Sequence, residues 1–178
     1  MISDFVKGKK KFDYPPGIQL GISLHRGIDQ FTDEHAATRE AKKFFQPHYR
    51  LYSAAFIDVV YDHFLANDPT IFPGNSLQAF AQEVYTSLSK YEDFFPAPFA
   101  SVFPYMKIHD WLYNYRQRVG IRRSFEGLAH RALYIKESDT AFHLFEKHYD
   151  ELQQCYQDFF PFLKEFSLTA VEQAGNPG

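Results

Sequence analysis

The chain has 178 residues, a formal net charge of −3 and one cysteine, Cys155. This length allows one domain with a full hydrophobic core, and the apolar share of 45% with 19% aromatic residues excludes an intrinsically disordered chain. The net negative charge attracts no nucleic acid, one cysteine cannot form a thiolate zinc site, and no apolar run is long enough for a membrane span or a signal peptide. The sequence therefore predicts a cytoplasmic protein whose partner is neither a nucleic acid nor a membrane.

Apolar periodicity predicts an all-α fold, a single-domain bundle of about six to seven helices over residues 1–178. The predicted helices span residues 18–32, 34–45, 49–66, 76–91, 99–119, 121–137 and 140–171. Asp33 and Ser76 are predicted as N-caps, Pro104 and Pro161 as kinks, and Gly120 as the break before the sixth helix. Residues 172–178 are expected to fray.

The third predicted helix is apolar on nearly every side, as "LYSAAFIDVVYDHFLA" shows, which predicts a buried helix. Asp58 and Asp62 are four residues apart and share one face, whereas His63 projects about 100° further round. Two buried and unpaired carboxylates would destabilise the fold by several kcal/mol each. The chain must therefore supply either a divalent cation or Arg and protonated His partners.

A second polar group lies in the first helix, in "LHRGIDQFTDEH" at residues 24–35. His25 and Asp29 continue the apolar stripe of Ile18 and Ile22, so we expect them to face inward. Asp33 follows near the same side, and Arg26 projects next to it.

These two helices favour a metal site but leave another interpretation open. Mn²⁺ and Mg²⁺ accept Asp oxygens, Mn²⁺ also accepts imidazole, and a phosphohydrolase holds its metal with such a mixture. The alternative is a set of buried salt bridges, for example Arg26 with Asp62. The adjacent pair His109 and Asp110 is interpreted as part of a surface.

Three blocks of this sequence, "SDFVKG", "YPPGIQLGISLHRGIDQFTDEH" and "FIDVVYDHFLA", resemble the acyl carrier protein phosphodiesterase family in residues and in spacing. The segment "WLYNYRQRVGIRRSFEGLAHR" resembles the more variable second half of that family. The resemblance covers most of the chain, and its first third is the specific part.

The resemblance implies a helical fold related to the HD-type metal phosphohydrolases. It implies an Mn²⁺-dependent hydrolase, with Mg²⁺ or another divalent cation as the alternative, that removes 4′-phosphopantetheine from a serine of holo-acyl carrier protein. Family members carry a further N-terminal helix, which this sequence is expected to lack. By motif, the resemblance assigns as metal ligands Asp4, His25, Asp29, Asp58 and Asp62.

The same motifs assign three further residues to catalysis. Arg26 would neutralise charge on the phosphoryl oxygens, His63 would protonate the leaving serine oxygen, and Asp33 belongs to the same block as Arg26. Acyl carrier proteins are acidic according to the resemblance, so the run "KGKKK", with Lys7 and residues 9–11, is predicted to bind the partner. The lysines predicted to bind the partner are thus Lys7, Lys9, Lys10 and Lys11.

Two other functions remain open from the sequence. One is a nucleotide phosphohydrolase of the broader HD type, which would hydrolyse nucleotides instead of the carrier protein. The other is a non-catalytic helical binding protein in which the charges form buried ion pairs.

Overall fold

A computed structural model describes residues 2–175, and within this range the chain is helical without any strand. The helices are α1 (Pro16–Glu34), α2 (Ala36–Tyr49), α3 (Ser53–Ala66), α4 (Ser76–Ser89), α5 (Ala97–Ile108), α6 (Trp111–Asn114), α7 (Arg118–Arg131), α8 (Asp139–Lys147) and α9 (Tyr149–Gly175). Short 3₁₀ turns cover Ile2–Phe5, Gly8–Asp13, Arg50–Tyr52 and Glu92–Phe94. The prediction of an all-α fold is confirmed, while its relation to HD-type proteins stays a prediction. None of the helices in the described range combines the length and the apolar character that crossing a membrane requires.

The main core lies where α2, α3, α7, α8 and α9 meet, and it is built largely from phenylalanine. Phe56 of α3 stands edge-on to Phe125 of α7, with ring centroids 5.0 Å apart. Burying one such side chain stabilises the fold by about 1.5–3 kcal/mol. Most of α3 is buried in this core, which explains why its sequence is apolar all round.

A smaller core joins α4 and α5 through Tyr85, Phe99 and Phe103. Phe5 of the first 3₁₀ turn packs on Phe99, with ring centroids 5.7 Å apart. This contact attaches the start of the described chain to α5, and it fixes one side of the turn that carries Asp4.

The start of α2 differs from the prediction. Asp33 lies in the last turn of α1, and His35 caps α2 by accepting a hydrogen bond from the Ala37 N–H to its Nδ1 over 3.3 Å. Asp33 therefore keeps its carboxylate for other contacts. The prediction for Ser76 was also wrong, since Asn75 is the N-cap residue of α4.

The predicted fifth helix is two helices, because the backbone at Asp110 turns into the left-handed region with φ of 43° and ends α5. Gly120 does not separate helices but lies in the first turn of α7. A Cβ at this position would overlap the carbonyl oxygen of Asn114, so glycine permits α7 to approach α6 closely.

The predicted last helix is likewise divided into α8 and α9, with the break at His148. Pro104 lies inside α5 and Pro161 inside α9, and the kinks expected there stay predictions. The expected fraying concerned residues 172–178, but α9 continues to Gly175, and residues 176–178 lie outside the described range.

Candidate metal centre

The first 3₁₀ turn and α1 bring three possible metal ligands together. Asp4 comes from the turn, while His25 and Asp29 stand one helical turn apart on α1. His25 Nε2 lies 3.7 Å from Asp4 Oδ1, and His25 Nδ1 lies 2.9 Å from Asp29 Oδ2. One ligand atom from each residue fits within 4.8 Å of the other two. The structure thus places three of the five predicted ligands in one cluster.

This cluster is open to solvent, which corrects the expectation that His25 and Asp29 face inward. The His25 side chain is 35% exposed and the Asp29 side chain 56% exposed. Both side chains turn towards Asp4 instead of the core, because the N-terminal segment lies along this part of α1. A substrate can therefore reach the cluster directly.

Asp58 and Asp62 lie on α3 and combine two properties. Each keeps accessible surface, yet the surrounding protein removes enough hydration to raise the pKa of each carboxyl to about 7. For Asp58 the negative charges of Asp62, Asp33 and Asp29 raise the pKa further. The charge of Asp29 raises the pKa of Asp58, so these α3 carboxylates adjoin the part of α1 that carries Asp29.

Tyr115 contacts Asp62 and was not predicted as a site residue. A hydrogen bond from its side chain lowers the pKa of Asp62 and partly offsets the effect of burial. Tyr115 belongs to an aromatic stretch of the sequence, "WLYNYR", in which nothing distinguishes it from a core residue. Only its position at the junction of α6 and α7 relates it to Asp62.

Asp33 has a partner of its own. Its Oδ1 accepts a hydrogen bond from Lys42 Nζ over 3.0 Å, and the Lys42 side chain is only 14% exposed. The Lys42 charge also lowers the pKa of Asp58, so it balances part of the negative charge around that carboxyl. The sequence analysis did not identify Lys42, whose position in α2 carries no motif.

Arg26 does not form the predicted salt bridge with Asp62. Its two terminal nitrogens donate to backbone carbonyls of the N-terminal segment, over 2.6 Å to Val6 O and 3.3 Å to Gly8 O. The guanidinium therefore binds neutral acceptors in the protein, which does not fit the role predicted for it on phosphoryl oxygens.

The catalytic role predicted for His63 stays a prediction, and the surroundings of the residue favour a structural role instead. The residue is 2% exposed, its Nδ1 donates to Tyr115 O over 2.8 Å, and its Nε2 accepts from the Tyr149 hydroxyl over 3.0 Å. Burial lowers the pKa of His63, which keeps the ring neutral. With both nitrogens occupied inside the protein, His63 has none to offer a leaving oxygen.

The predicted partner-binding lysines follow Asp4 directly in the chain. Lys7, Lys9 and Lys10 are exposed, whereas Lys11 is partly buried and donates from Nζ to Ser23 Oγ over 3.2 Å. Three of the four lysines therefore present their charge to solvent, in the segment that follows Asp4 in the chain.

The residues of the cluster fit a hard divalent cation. Asp4 and Asp29 provide carboxylate oxygens, His25 provides an imidazole nitrogen, and Asp58 and Asp62 add negative charge that the fold itself compensates only in part. Mn²⁺ accepts this mixture of oxygen and nitrogen ligands, whereas the absence of thiolate ligands from the cluster disfavours softer ions.

Comparison with known proteins agrees with the sequence motifs. The family model described as acyl carrier protein phosphodiesterase matches residues 1–163. Proteins named acyl carrier protein phosphodiesterase from Yersinia pestis and Salmonella paratyphi A are each 32% identical over 162 residues, which is 90% of this chain and 84% of the relative. The corresponding protein from Yersinia enterocolitica is 31% identical over the same shares. No solved structure matches. The chain belongs to the acyl carrier protein phosphodiesterase family.

Proposed function

We propose that this protein is a divalent-metal-dependent phosphodiesterase that removes 4′-phosphopantetheine from holo-acyl carrier protein and leaves the apo form. Membership of the family supports the substrate. The observation that carries the chemistry is the cluster of Asp4, His25 and Asp29, since these three side chains offer ligand atoms within 4.8 Å of one another at an accessible surface.

Within the cluster the three residues have different tasks. Asp4 and the Nε2 atom of His25 face each other and would hold Mn²⁺, with Mg²⁺ as the alternative ion. Asp29 accepts a hydrogen bond from the Nδ1–H of His25 over 2.9 Å. This bond fixes the orientation of the ring and makes Nε2 the better metal ligand. Asp29 can complete the coordination with its other oxygen.

A bound divalent cation supplies positive charge that polarises the phosphodiester and lowers the pKa of water. Asp58 and Asp62 would contribute further negative charge from α3. In this proposal Asp33 acts in catalysis through Lys42, whose ammonium group it holds near Asp58. Lys42 would then offer a positive charge to a phosphate oxygen of the substrate.

The surface beside the cluster suits an acidic protein substrate. Lys7, Lys9 and Lys10 are exposed within a few residues of Asp4, although the whole chain is negatively charged. A local basic surface of this kind attracts an acidic partner by steering its approach.

The test is incubation of the protein with holo-acyl carrier protein and Mn²⁺, followed by mass spectrometry of the carrier protein. We expect conversion to the apo form, no conversion after chelation with EDTA, and no conversion by His25→Ala. A panel of nucleotides serves as the second substrate set. Hydrolysis of nucleotides without hydrolysis of the carrier protein would establish a nucleotide phosphohydrolase instead. Hydrolysis of neither substrate would favour the non-catalytic binding protein in which the charges form ion pairs.

A further inference from the structure

Side chains of α1 hold the N-terminal segment, residues 2–14, along the surface of the helix. Gln19 Nε2 donates to Tyr14 O over 2.7 Å, and Ser23 Oγ accepts from Lys11 Nζ over 3.2 Å. Arg26 makes the contact nearest to Asp4 in the chain, through the carbonyls of Val6 and Gly8. From Gln19 to Arg26 along α1, these contacts reach residues progressively closer to Asp4 in the N-terminal segment. The Arg26 contact is therefore the one nearest to the cluster.

The Arg26 contact connects the two elements that carry the ligands. Arg26 is the next residue after His25, and Val6 O, its acceptor at 2.6 Å, lies two residues after Asp4. Val6 is 4% exposed, and its N–H donates to Ser3 O over 3.1 Å, so its carbonyl moves with the turn that carries Asp4. A displacement of the guanidinium would therefore change the separation of Asp4 from His25.

The geometry points to Arg26 as a positioning residue: we propose that its fork to Val6 O and Gly8 O sets the Asp4 carboxylate against His25 and so forms the metal site. This inference rests on the proposed function for its metal, but not for its substrate. The acceptors are two separate carbonyls, and a planar fork with several N–H groups reaches both at once, whereas a lysine ammonium is a single point of charge.

The opposite side of the same turn is held by packing. Phe5 lies against Phe99, with ring centroids 5.7 Å apart, and Ser3 is buried. The turn would therefore stay attached to α5 after loss of the Arg26 contact, while the contact that sets the distance of this turn from His25 would be lost. This difference separates a positioning role from a general role in folding.

The experiment is a double-mutant cycle read by Mn²⁺ binding, in which electron paramagnetic resonance counts free Mn²⁺. We expect Arg26→Gln to weaken Mn²⁺ affinity about 10–100-fold, the range typical of residues that orient a metal ligand. In an Asp4→Asn background the same substitution should change affinity less than about twofold, because the residue through which it acts no longer serves as a carboxylate ligand. Gln19→Ala, which loosens the same segment further from Asp4, is the matched control and should bind Mn²⁺ as the wild type does.

Arg26→Lys keeps the charge and supplies a second variant should Arg26→Gln melt at a lower temperature. Arg26→Lys alone should weaken Mn²⁺ affinity. In the Asp4→Asn background, the same substitution should cause no further loss of affinity. Unchanged Mn²⁺ affinity with a reduced kcat would overturn the inference in favour of a direct role on phosphate, as would independent losses in the two backgrounds. A wild type that binds Mn²⁺ but leaves holo-acyl carrier protein intact would refute the proposed substrate and leave the role of Arg26 standing.

Discussion

Two sides of α3 show how differently this protein treats its ionisable groups. On one side lie Asp58 and Asp62, where burial raises both pKa values to about 7 and the charge of Asp62 raises the pKa of Asp58 further. On the other side His63, the residue after Asp62, is buried with its ring nitrogens hydrogen-bonded to Tyr115 O, between α6 and α7, and to the Tyr149 hydroxyl of α9. The helical rotation of about 100° per residue separates the two environments.

The contrast teaches that a buried ionisable group indicates function only when the protein leaves its charge or its hydrogen bonds unsatisfied. His63 has two good partners, as buried polar groups in stable cores do. Asp58 and Asp62 have Lys42 and Tyr115 nearby, but their raised pKa values show that these partners do not compensate both charges. The proposed function places a cation on the acidic side, whereas the hydrogen bonds of His63 are already made within the protein.

The largest expected effect comes from removing residues of the candidate metal centre on α1 and on the acidic side of α3. His25→Ala and Asp62→Ala should each lower kcat/KM for holo-acyl carrier protein by more than about 100-fold, beyond the loss typical for residues that only orient a ligand. Asp158→Ala removes an exposed carboxylate of α9 and serves as the control. Circular dichroism would confirm the fold, and a folded variant with nearly normal turnover would remove its residue from the site.

The next largest effect concerns the association of holo-acyl carrier protein with the candidate site. Changing Lys7, Lys9 and Lys10 together to Glu should raise KM for holo-acyl carrier protein about 10-fold at low salt, because a repulsive surface slows association. The effect should shrink as salt rises, since exposed charges are screened beyond about 8 Å at physiological ionic strength. Hydrolysis of a small phosphodiester should change little.

Three other lysines, whose replacement changes the net charge by the same amount, provide the control for this variant. Lys90, Lys136 and Lys164 are exposed and lie outside the N-terminal segment, so their joint replacement by Glu should leave KM nearly unchanged. Equal rises in KM for both triple variants would mean that total charge, and not the basic surface beside Asp4, governs association.

A smaller effect separates the two sides of α3 by stability. His63→Ala leaves the Tyr115 carbonyl and the Tyr149 hydroxyl without their partner and should lower the free energy of unfolding by about 2–3 kcal/mol. For a chain of this size that corresponds to a fall in Tm of roughly 4–12 °C in calorimetry. Mn²⁺ affinity should stay within twofold of wild type; a loss like that of His25→Ala would place His63 in the site.

The smallest effect is a pH dependence of opposite sign on the two sides, measured by urea unfolding of the metal-free protein. Folded Asp58 and Asp62 keep protons up to about pH 7 that the unfolded chain releases near its ordinary pKa of 3.8, so they should make the fold less stable as pH rises from about 4 to 7. Asp62→Asn should reduce this loss of stability. An unchanged slope in that variant would contradict the raised pKa.

His63 should act in the other direction. Its pKa is lowered from an ordinary value of 6.5, so the unfolded chain binds a proton that the folded chain refuses, and stability should fall as pH drops below about 6.5. Comparing His63→Ala with wild type at pH 5 and pH 7 isolates this contribution. The destabilisation caused by the substitution should be smaller at pH 5 than at pH 7.

Local patterns predicted the helical fold and part of the site. The apolar character of α3 and the spacing of His25 and Asp29 follow from helical periodicity, which local sequence contains. The boundary at Asp33 could not be predicted this way, because Asp33 and His35 both suit an N-cap and only the Lys42 contact of Asp33 decides between them. Gly120 was misplaced for a related reason, since a close approach between two helices resembles a helix break in the sequence.

The rest depends on contacts between residues distant in the chain. Asp4 reaches His25 because Arg26 and Phe99 hold its turn from two sides. The environment of His63 depends on Tyr115 and Tyr149, which are 52 and 86 residues away. No periodicity within one helix contains such information.

The central claim is that the cluster of Asp4, His25 and Asp29 binds a divalent metal. An anomalous difference map from crystals grown with Mn²⁺ tests this claim most directly. We predict a peak about 2.1 Å from oxygen of Asp4 and from Nε2 of His25, with Asp29 in contact with the same site. The peak should be absent from crystals of His25→Ala grown in the same way. A wild-type map without a peak between Asp4, His25 and Asp29, or with metal only at other surfaces, would contradict the account.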